Sequence, residues 1–222
     1  MTIQKFHEIF SPTILETEVP KKFIDIVNKV GDDVLSDDTK SVKWDWSHKL
    51  VGKVHKEVEI PITNKEDGSY CLNIMKQACV EYLKFLIKKN RAYEWIRLAG
   101  KEKPRTVDNI HIGQSWIVSQ YKHEYNPWHT HIGNFSAVIY LKIPDGMEDH
   151  FKNEKKDHYP ASGLIDFKYG EKADMRSDTW LFHPELGKFL IFPSWLKHFV
   201  YPFKSEGERR SMSFNAHMFV PE

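Results

Sequence analysis

Two histidines separated by one residue, His129 and His131, stand in the stretch NPWHTHIG just past the middle of the chain. A strand-like run follows them at once. On a β-strand, residues i and i+2 point to the same face, so the two imidazoles could face one point in space. Neutral imidazole suits Fe(II), Zn(II), Cu(II) and Ni(II). The pair is a weak signal by itself, because the chain has 12 histidines and one such pair arises easily by chance.

A third candidate ligand is His198, which follows a buried-strand pattern and a turn in GKFLIFPSWLKHFVYPF. An H-x-H on one strand and a single histidine on a distant strand commonly build a three-ligand facial site in a β-sandwich. Such a site leaves positions open for other ligands. The alternative for His198 is a core histidine bonded to a backbone carbonyl. Glu124 is a further possible carboxylate ligand, less favoured than His131.

The stretch ERRSMSFNAHM adds a possible carboxylate-binding group. Its residues alternate between a polar face that begins with Arg209 and Ser211 and an apolar face that includes Met212 and Phe214. A guanidinium can bind a carboxylate through two parallel hydrogen bonds, and a hydroxyl beside it can assist. The alternative is an edge strand whose polar face meets water. Because Arg209 follows His198 by eleven residues, the pair could reach a ligand held on a metal.

The elements that must position these residues change in type along the chain. Helical spacing predicts a helix from Pro20 to Gly31 and a longer one over 69–90, after a turn at Asp67-Gly68. A short strand is expected within KEVEIPI. Six further segments have strand patterns: VDNIHIGQSWIVSQY, FSAVIYLKI, GLIDFKY, KFLIFPSW, HFVYPF and RRSMSFNAHMFV.

Helices followed by strands favour an α+β protein, in which N-terminal helices support one face of a jelly roll. We expect one domain over 1–222, with helical support mainly in 1–105 and the jelly-roll core at about 106–222. The charged segment 145–162 interrupts the strands and is a candidate lid, or else a plain solvated loop.

Composition excludes several classes of function. The net charge of +1 gives no electrostatic reason to expect binding to nucleic acid or to anionic lipid. No apolar run approaches the length of a membrane span. The opening MTIQKFHEIF does not have the pattern of a signal peptide. Cys71 and Cys79 lie too far apart on one helix for a disulfide and are interpreted as free, half-buried thiols. Together these features predict a cytoplasmic protein.

The motifs WHTHIGNFSAVIYLKIP, LIFPSWLKHFVYPF and RRSMSFN resemble the iron(II)- and 2-oxoglutarate-dependent oxygenases. The similarity is strongest to a group of small oxygenase-like proteins often found in bacteria and tailed phages, so the cytoplasm could be that of a phage host. The opening IFSPTILETEVP also looks like that group's N-terminal strand. The resemblance spans most of the chain and is densest over 114–217, whereas 35–105 contributes little.

The resemblance implies a double-stranded β-helix that binds Fe(II) and the cosubstrate 2-oxoglutarate. His129 and His198 would be iron ligands, with His131 as the third. Arg209 would hold the distal carboxylate of 2-oxoglutarate, helped by Ser211. Tyr140 occupies a place where related oxygenases often carry a tyrosine that bonds the same carboxylate, and Tyr121 would line the pocket. The protein would hydroxylate an unidentified small molecule or peptide and release succinate and carbon dioxide.

Position 131 departs from the broad superfamily, which has a carboxylate ligand there. A third neutral ligand leaves the site one negative charge short, although the small group resembled here also tends to have histidine. Two alternatives therefore stay open. One is a three-histidine cupin-type dioxygenase that does not use 2-oxoglutarate; Arg209 and Ser211 have no natural role in it. The other is a non-catalytic module that binds a metal or ligand on the same fold.

Overall fold

The computed structural model describes residues 12–47, 52–60, 66–92, 106–147 and 161–219. Three α-helices lie in these ranges: α1 Lys21–Leu35, α2 Asp38–Lys43 and α3 Glu66–Lys88. Ten strands accompany them: β1 Leu15–Glu18, β2 Lys56–Glu59, β3 Ile110–Gln120, β4 Asn126–His129, β5 Phe135–Lys142, β6 Ile165–Lys168, β7 Thr179–Phe182, β8 Lys188–Pro193, β9 Lys197–Val200 and β10 Arg209–Met218.

The strands form two antiparallel sheets. The larger has the order β1-β8-β5-β10-β3-β2 and the smaller the order β4-β9-β6-β7. Apolar side chains from both sheets meet in an interior cluster that includes Val138, Leu190 and Phe192 of the larger sheet and Ile165 and Phe167 of the smaller. Two antiparallel sheets packed in this way, with helices on one side, are the predicted α+β jelly roll, and the fold class is confirmed.

Strand β10 lies in the middle of the larger sheet, between β5 and β3. Arg209, Ser211 and Ser213 face the interior between the sheets, where they line a cavity. Met212 and Phe214 point the other way and are buried beneath the helices. The polar face expected from the sequence therefore looks into the protein rather than into water, which rejects the edge-strand interpretation.

Helices α1 and α3 cover the outer face of the larger sheet, and both differ from the predicted boundaries. Helix α1 continues past Gly31 to Leu35. Gly31 is buried, and a Cβ atom there would lie 2.4 Å from Ile117 Cδ1, so this glycine permits close packing rather than ending the helix. Helix α3 already includes Asp67 and Gly68, where a turn was predicted. No helix within the described ranges is long and apolar enough to cross a membrane.

Both cysteines lie on α3 and carry free thiols, as predicted. They are fully buried rather than half-buried, because Cys71 and Cys79 face the sheet together with Met75 and Leu83. Burial raises the pKa of the Cys79 thiol to about 12, so this thiol is unreactive at neutral pH.

All six C-terminal strands predicted from the sequence are present, as is the short strand β2. Strand β7 was not predicted, since it has only four residues and little alternation. A strand was expected at the H-x-H, and β4 ends at His129. The N-terminal part contributes more than helices: β1 pairs with β8 and β2 with β3, so both edges of the larger sheet come from it. The single-domain organisation stays a prediction. Most of the proposed lid, residues 148–160, lies outside the described ranges.

A glycine supports the segment that leads into β4. Lys53 and Tyr125 exchange two backbone hydrogen bonds of 2.9 and 3.0 Å. At the neighbouring Gly52, a Cβ atom would lie 2.4 Å from the Tyr125 carbonyl oxygen and 3.0 Å from Asn126 Cα. We expect Gly52→Ala to lower the free energy of unfolding by about 1–3 kcal/mol, because backbone must move to admit the methyl group. Urea denaturation monitored by fluorescence measures this.

Gly113→Ala is the matched control, since its Cβ would meet its nearest neighbour, the Asn215 carbonyl oxygen, at 3.4 Å. We expect a smaller loss than at Gly52. An equal loss in the two variants would contradict the explanation from close approach.

Candidate metal centre

Strand pairing in the smaller sheet brings two of the predicted ligands together. β4 runs antiparallel to β9, and His129 stands directly opposite His198. Residues opposite each other in an antiparallel pair have Cβ atoms about 4.5–5.5 Å apart. The two imidazole rings are correspondingly close, with centroids 4.1 Å apart.

Backbone carbonyls fix the orientation of both rings. His129 Nδ1 lies 2.7 Å from the Pro127 carbonyl oxygen, and His198 Nδ1 lies 3.0 Å from the Leu196 carbonyl oxygen. A carbonyl oxygen only accepts, so each Nδ1 must carry the proton and donate it. The lone pair is then on Nε2, which is the tautomer that a metal-binding histidine needs.

His131 reaches the same point although it lies two residues beyond the end of β4. The predicted geometry, with both histidines of the H-x-H on one strand, is therefore wrong for His131. Its backbone N–H donates to the Ser194 carbonyl oxygen at 2.8 Å, which holds the turn near the start of β9. His131 Nε2 lies 3.2 Å from His198 Nε2. The candidate ligand atoms of the three histidines all lie within 4.8 Å of one another.

Burial keeps the three imidazoles neutral. It lowers the pKa of His129, and it lowers the pKa of His131 to about 3, where the neighbouring His129 adds to the effect. The pKa of His198 is well below its usual range for the same reasons. Three neutral imidazoles that converge on one place fit the donor set that Fe(II) or Zn(II) accepts.

Arg209 lies on the wall of the same cavity and is only 1% exposed. One terminal nitrogen donates to the Gly163 carbonyl oxygen and the other to Gln120 Oε1, both at 2.6 Å. Among the described residues, no carboxylate forms an ion pair with it. Burial lowers the pKa of Arg209 to about 10, so the guanidinium remains charged. A buried cation held only by neutral groups is a site for an anion.

Tyr140 and Ser211 line the cavity beside Arg209 and face each other across β5 and β10. Burial raises the pKa of Tyr140 to about 12, and the charge of Arg209 opposes that rise. Tyr140 is therefore a neutral phenol that can donate a hydrogen bond. The cavity, which includes the three histidines, has a volume of about 50 Å³.

Two residues considered from the sequence lie elsewhere. Tyr121 is 40% exposed, packs edge-on against His55 and does not line this cavity, so we leave it out of the site. Glu124 Oε2 accepts hydrogen bonds from the backbone N–H groups of His55 and Tyr121, at 2.7 and 2.9 Å. It is not part of the histidine group.

Four further residues line the cavity that the sequence did not indicate: Glu57, Trp116, Gln120 and Asn126. Three of them carry a buried polar atom without a partner in the described structure, namely Glu57 Oε2, Gln120 Nε2 and Asn126 Oδ1. A polar residue inside a predicted strand was the available signal for Gln120, whereas Asn126 lies between the predicted strands. Glu57 gave none, because its alternating segment is also typical of a strand with one face in water.

Known structures show the same fold. A prolyl-4-hydroxylase from Pseudomonas putida is 14% identical, with a TM-score of 0.52 and 91% of each chain covered. AviO1 from Streptomyces viridochromogenes Tue57 is 11% identical, with a TM-score of 0.52, 95% of this chain covered and 92% of that one. A prolyl hydroxylase from Trichoplax adhaerens, in complex with a peptide fragment of the hypoxia inducible factor oxygen degradation domain, is 12% identical. Its TM-score is 0.50, with 93% of this chain and 83% of that one covered.

No curated protein sequence is significantly similar to this chain. Residues 114–215 match the family model described as "Putative 2OG-Fe(II) oxygenase". The matched segment contains all three histidines and Arg209. Just under half of the chain is therefore similar to the iron(II)- and 2-oxoglutarate-dependent oxygenases. The solved structures thus share the jelly-roll fold of this chain.

The neutral imidazoles make the stability of the metal-free protein depend on pH. The unfolded chain protonates histidine near its ordinary pKa of 6.5, whereas folded His131 takes up a proton only near pH 3. The stabilisation is therefore complete above pH 6.5 and lost as the pH falls towards 3. At pH 5.5, we expect His131 to cost the wild type about 1 kcal/mol in unfolding free energy relative to pH 7.5.

Urea unfolding in the presence of a chelator measures this effect. His131→Gln, which has no titrating group at that position, should lose about 1 kcal/mol less than the wild type over the same pH change. Identical pH dependence in the two proteins would show that folded His131 titrates normally.

Proposed function

We propose that this chain is an iron(II)- and 2-oxoglutarate-dependent dioxygenase that hydroxylates a small-molecule or peptide substrate. The observation that carries the proposal is the position of Arg209. A charged, buried guanidinium without an acidic partner among the described residues faces the cavity that also contains three converging neutral imidazoles. A metal site and an anion site share one small chamber, which is what a chelating dicarboxylate cosubstrate needs.

His129, His131 and His198 would hold the iron through Nε2. Bound Fe(II) and 2-oxoglutarate would supply the oxidant for hydroxylation, with succinate and carbon dioxide as coproducts. The protein contributes the orientation of the ligands: the Pro127 and Leu196 carbonyls keep two rings in the tautomer with Nε2 unprotonated. Such outer-shell hydrogen bonds typically change metal affinity about 10- to 100-fold when they are removed.

Arg209 would bind the distal carboxylate of 2-oxoglutarate through the N–H groups that Gly163 and Gln120 leave unused, since a guanidinium has five donors. The hydroxyls of Tyr140 and Ser211 stand at the same wall and would donate to the same oxygens. The Gln120 side chain holds the guanidinium in place and keeps a second unpartnered donor, Nε2, in the cavity.

Aromatic side chains pack against the histidines. The rings of Phe192 and Phe167 lie 4.9 and 5.6 Å from His198, and Trp116 lies 5.6 Å from His131, between ring centroids. A dry wall strengthens the attraction between Arg209 and an anion and limits side reactions of the oxidant.

The proposed substrate is either a small molecule or a peptide. The structural neighbour from Trichoplax adhaerens binds a peptide, which supports a peptide substrate by analogy. The near-neutral net charge argues against a nucleic acid as substrate.

One observation favours a second function, a three-histidine dioxygenase that binds its substrate directly to iron. The described ligand group contains no carboxylate, as in cupin dioxygenases of that kind. Arg209 favours the 2-oxoglutarate-dependent function, because direct binding of substrate to iron would give no role to a buried guanidinium in the same cavity. The two functions differ experimentally in whether 2-oxoglutarate binds.

Arg209→Gln should separate cosubstrate binding from metal binding. Without oxygen, the wild type with Fe(II) and 2-oxoglutarate should develop the weak visible band of a chelated complex. Loss of one partner of a buried charge pair costs about 2–5 kcal/mol, so the variant should bind 2-oxoglutarate at least about 30-fold more weakly. Its affinity for Fe(II) alone should change little. Titration of the visible band and a chelator competition measure the two affinities.

Arg210→Gln is the matched control from the next position on β10. Arg210 is also buried but points to α1, where it pairs with Asp32 at 2.7 Å, and it pairs with its neighbour Glu208 at 2.7 Å. This variant should lose stability and keep its affinity for 2-oxoglutarate. The proposal would be rejected if the wild type gave no visible band and no succinate, or if both variants bound 2-oxoglutarate equally weakly.

His131→Ala tests the third ligand. If His131 binds the metal, the variant should bind Fe(II) at least about tenfold more weakly, because one of three protein ligands is gone. Its thermal unfolding in chelator should remain cooperative. Metal content measured after gel filtration checks the outcome, and full retention of one metal per chain would show that His131 is not a ligand.

A further inference from the structure

Glu57 is a buried acid that lines the cavity. It lies outside both the sequence motifs and the matched segment. It lies on β2, at the edge of the larger sheet, and is 2% exposed. The strand register places it in one row with Val118 of β3, Ser211 of β10 and Tyr140 of β5. Glu57 therefore shares a wall with the residues proposed to hold the cosubstrate. Among the described residues that line the cavity, it is the only acidic one.

A tryptophan connects Glu57 to the histidine group. The side chain of Trp116 donates a hydrogen bond to the Glu57 carboxyl group. The same indole lies 5.6 Å from the His131 ring, between centroids, and Trp46 stacks on it at 6.4 Å. Glu57 is thus separated from a proposed metal ligand by one held side chain. Its second oxygen, Oε2, has no partner in the described structure.

Burying this carboxyl group is unfavourable in the protein alone. Burial raises the pKa of Glu57 to about 8, the hydrogen bond from Trp116 opposes the rise, and the neighbouring Asp45 adds to it. A buried acid that lacks a cationic partner can often be replaced by an apolar residue at no cost to folding. Its presence in this wall is explained if the cavity contains positive charge when the site is loaded.

Counting charges gives the size of that positive charge. Fe(II) brings two positive units and Arg209 one, while 2-oxoglutarate brings two negative units and three neutral imidazoles bring none. One positive unit is left over, whereas a site with a carboxylate in place of His131 would be neutral. The ionised Glu57 side chain has the charge that makes up the difference.

We propose that Glu57 is a positioning residue outside the ligand sphere. It supplies the negative charge that a carboxylate ligand at position 131 would supply and that His131 does not. It acts on the metal across the cavity and through the indole of Trp116, whose place beside His131 it fixes. This inference rests on the proposed function, because it assumes a divalent metal held by the three histidines.

The test is a double-mutant cycle between Glu57→Gln and His131→Asp, with metal affinity as the readout. Fe(II) binding, and Co(II) binding as an oxygen-stable probe, are measured anaerobically by competition with a chromophoric chelator. Glu57→Gln keeps the size of the side chain and an oxygen that accepts from Trp116, so it removes the charge alone. We expect about a tenfold loss of affinity in the wild-type background, at the lower end of outer-shell effects.

In the His131→Asp background, a carboxylate in the ligand sphere supplies the charge, so Glu57→Gln should change affinity by less than about twofold. The metal-free Glu57→Gln variant should unfold at the same temperature as the wild type or higher. This control excludes a general loss of structure, because removing a buried acid does not destabilise the fold.

Three results would overturn the inference, and they can be told apart. If the wild type binds neither metal, the proposed function fails and the inference with it. If the wild type binds metal and Glu57→Gln binds it equally tightly, only the inference fails. An equal loss in both backgrounds would show that Glu57 supports the shape of the wall and contributes no charge.

Discussion

The antiparallel pairing of β4 with β9 is the constraint on which the site depends. It sets His129 opposite His198, and in each strand the carbonyl two residues earlier holds the ring by Nδ1. The strand pairing thus fixes the position of each of these histidines, and the nearby carbonyl group fixes its tautomer. The consequence is a buried environment that disfavours a second proton on each imidazole, so that the rings are neutral. Neutral rings are favourable when a cation occupies the space between them, because each ring then offers a lone pair.

The larger sheet faces the cavity on one side and the helices on the other, and β10 contributes an arginine to each side. Arg209 looks into the cavity and Arg210 looks towards α1, one residue apart on the same strand. The outward arginine is fully paired with Asp32 and Glu208, whereas the inward one is held by a carbonyl and an amide. The same residue type therefore anchors a helix on one side and keeps unused donors on the other. Only the surroundings distinguish the two roles.

Much of this arrangement could be predicted because the strands of a jelly roll carry strong alternation. The six C-terminal strands and the inward polar face of β10 followed from period-two patterns. The short strand β7 did not, since four residues give too little pattern to detect. Helix ends were misplaced where tertiary packing overrode local signals: Gly31 lies inside α1 because Ile117 needs the space, and Asp67-Gly68 lie in the first turn of α3. The contribution of β2 to the cavity wall could not be predicted, because nothing in its sequence distinguishes a glutamate that faces inward from one that faces solvent.

The histidine at position 131 shows why ligand identity alone does not define a metal site. A carboxylate there would bring its charge into the ligand sphere, where it also competes with an anionic cosubstrate for the metal's positive field. A neutral imidazole leaves that field undiminished at the metal. Such a site should hold a dianion more strongly unless the surrounding wall compensates at longer range. The one acid among the described residues of the cavity wall lies on β2, with Trp116 between it and His131. In its proposed role, the charge of Glu57 would moderate the field without occupying a coordination position, and positions would stay open for other ligands.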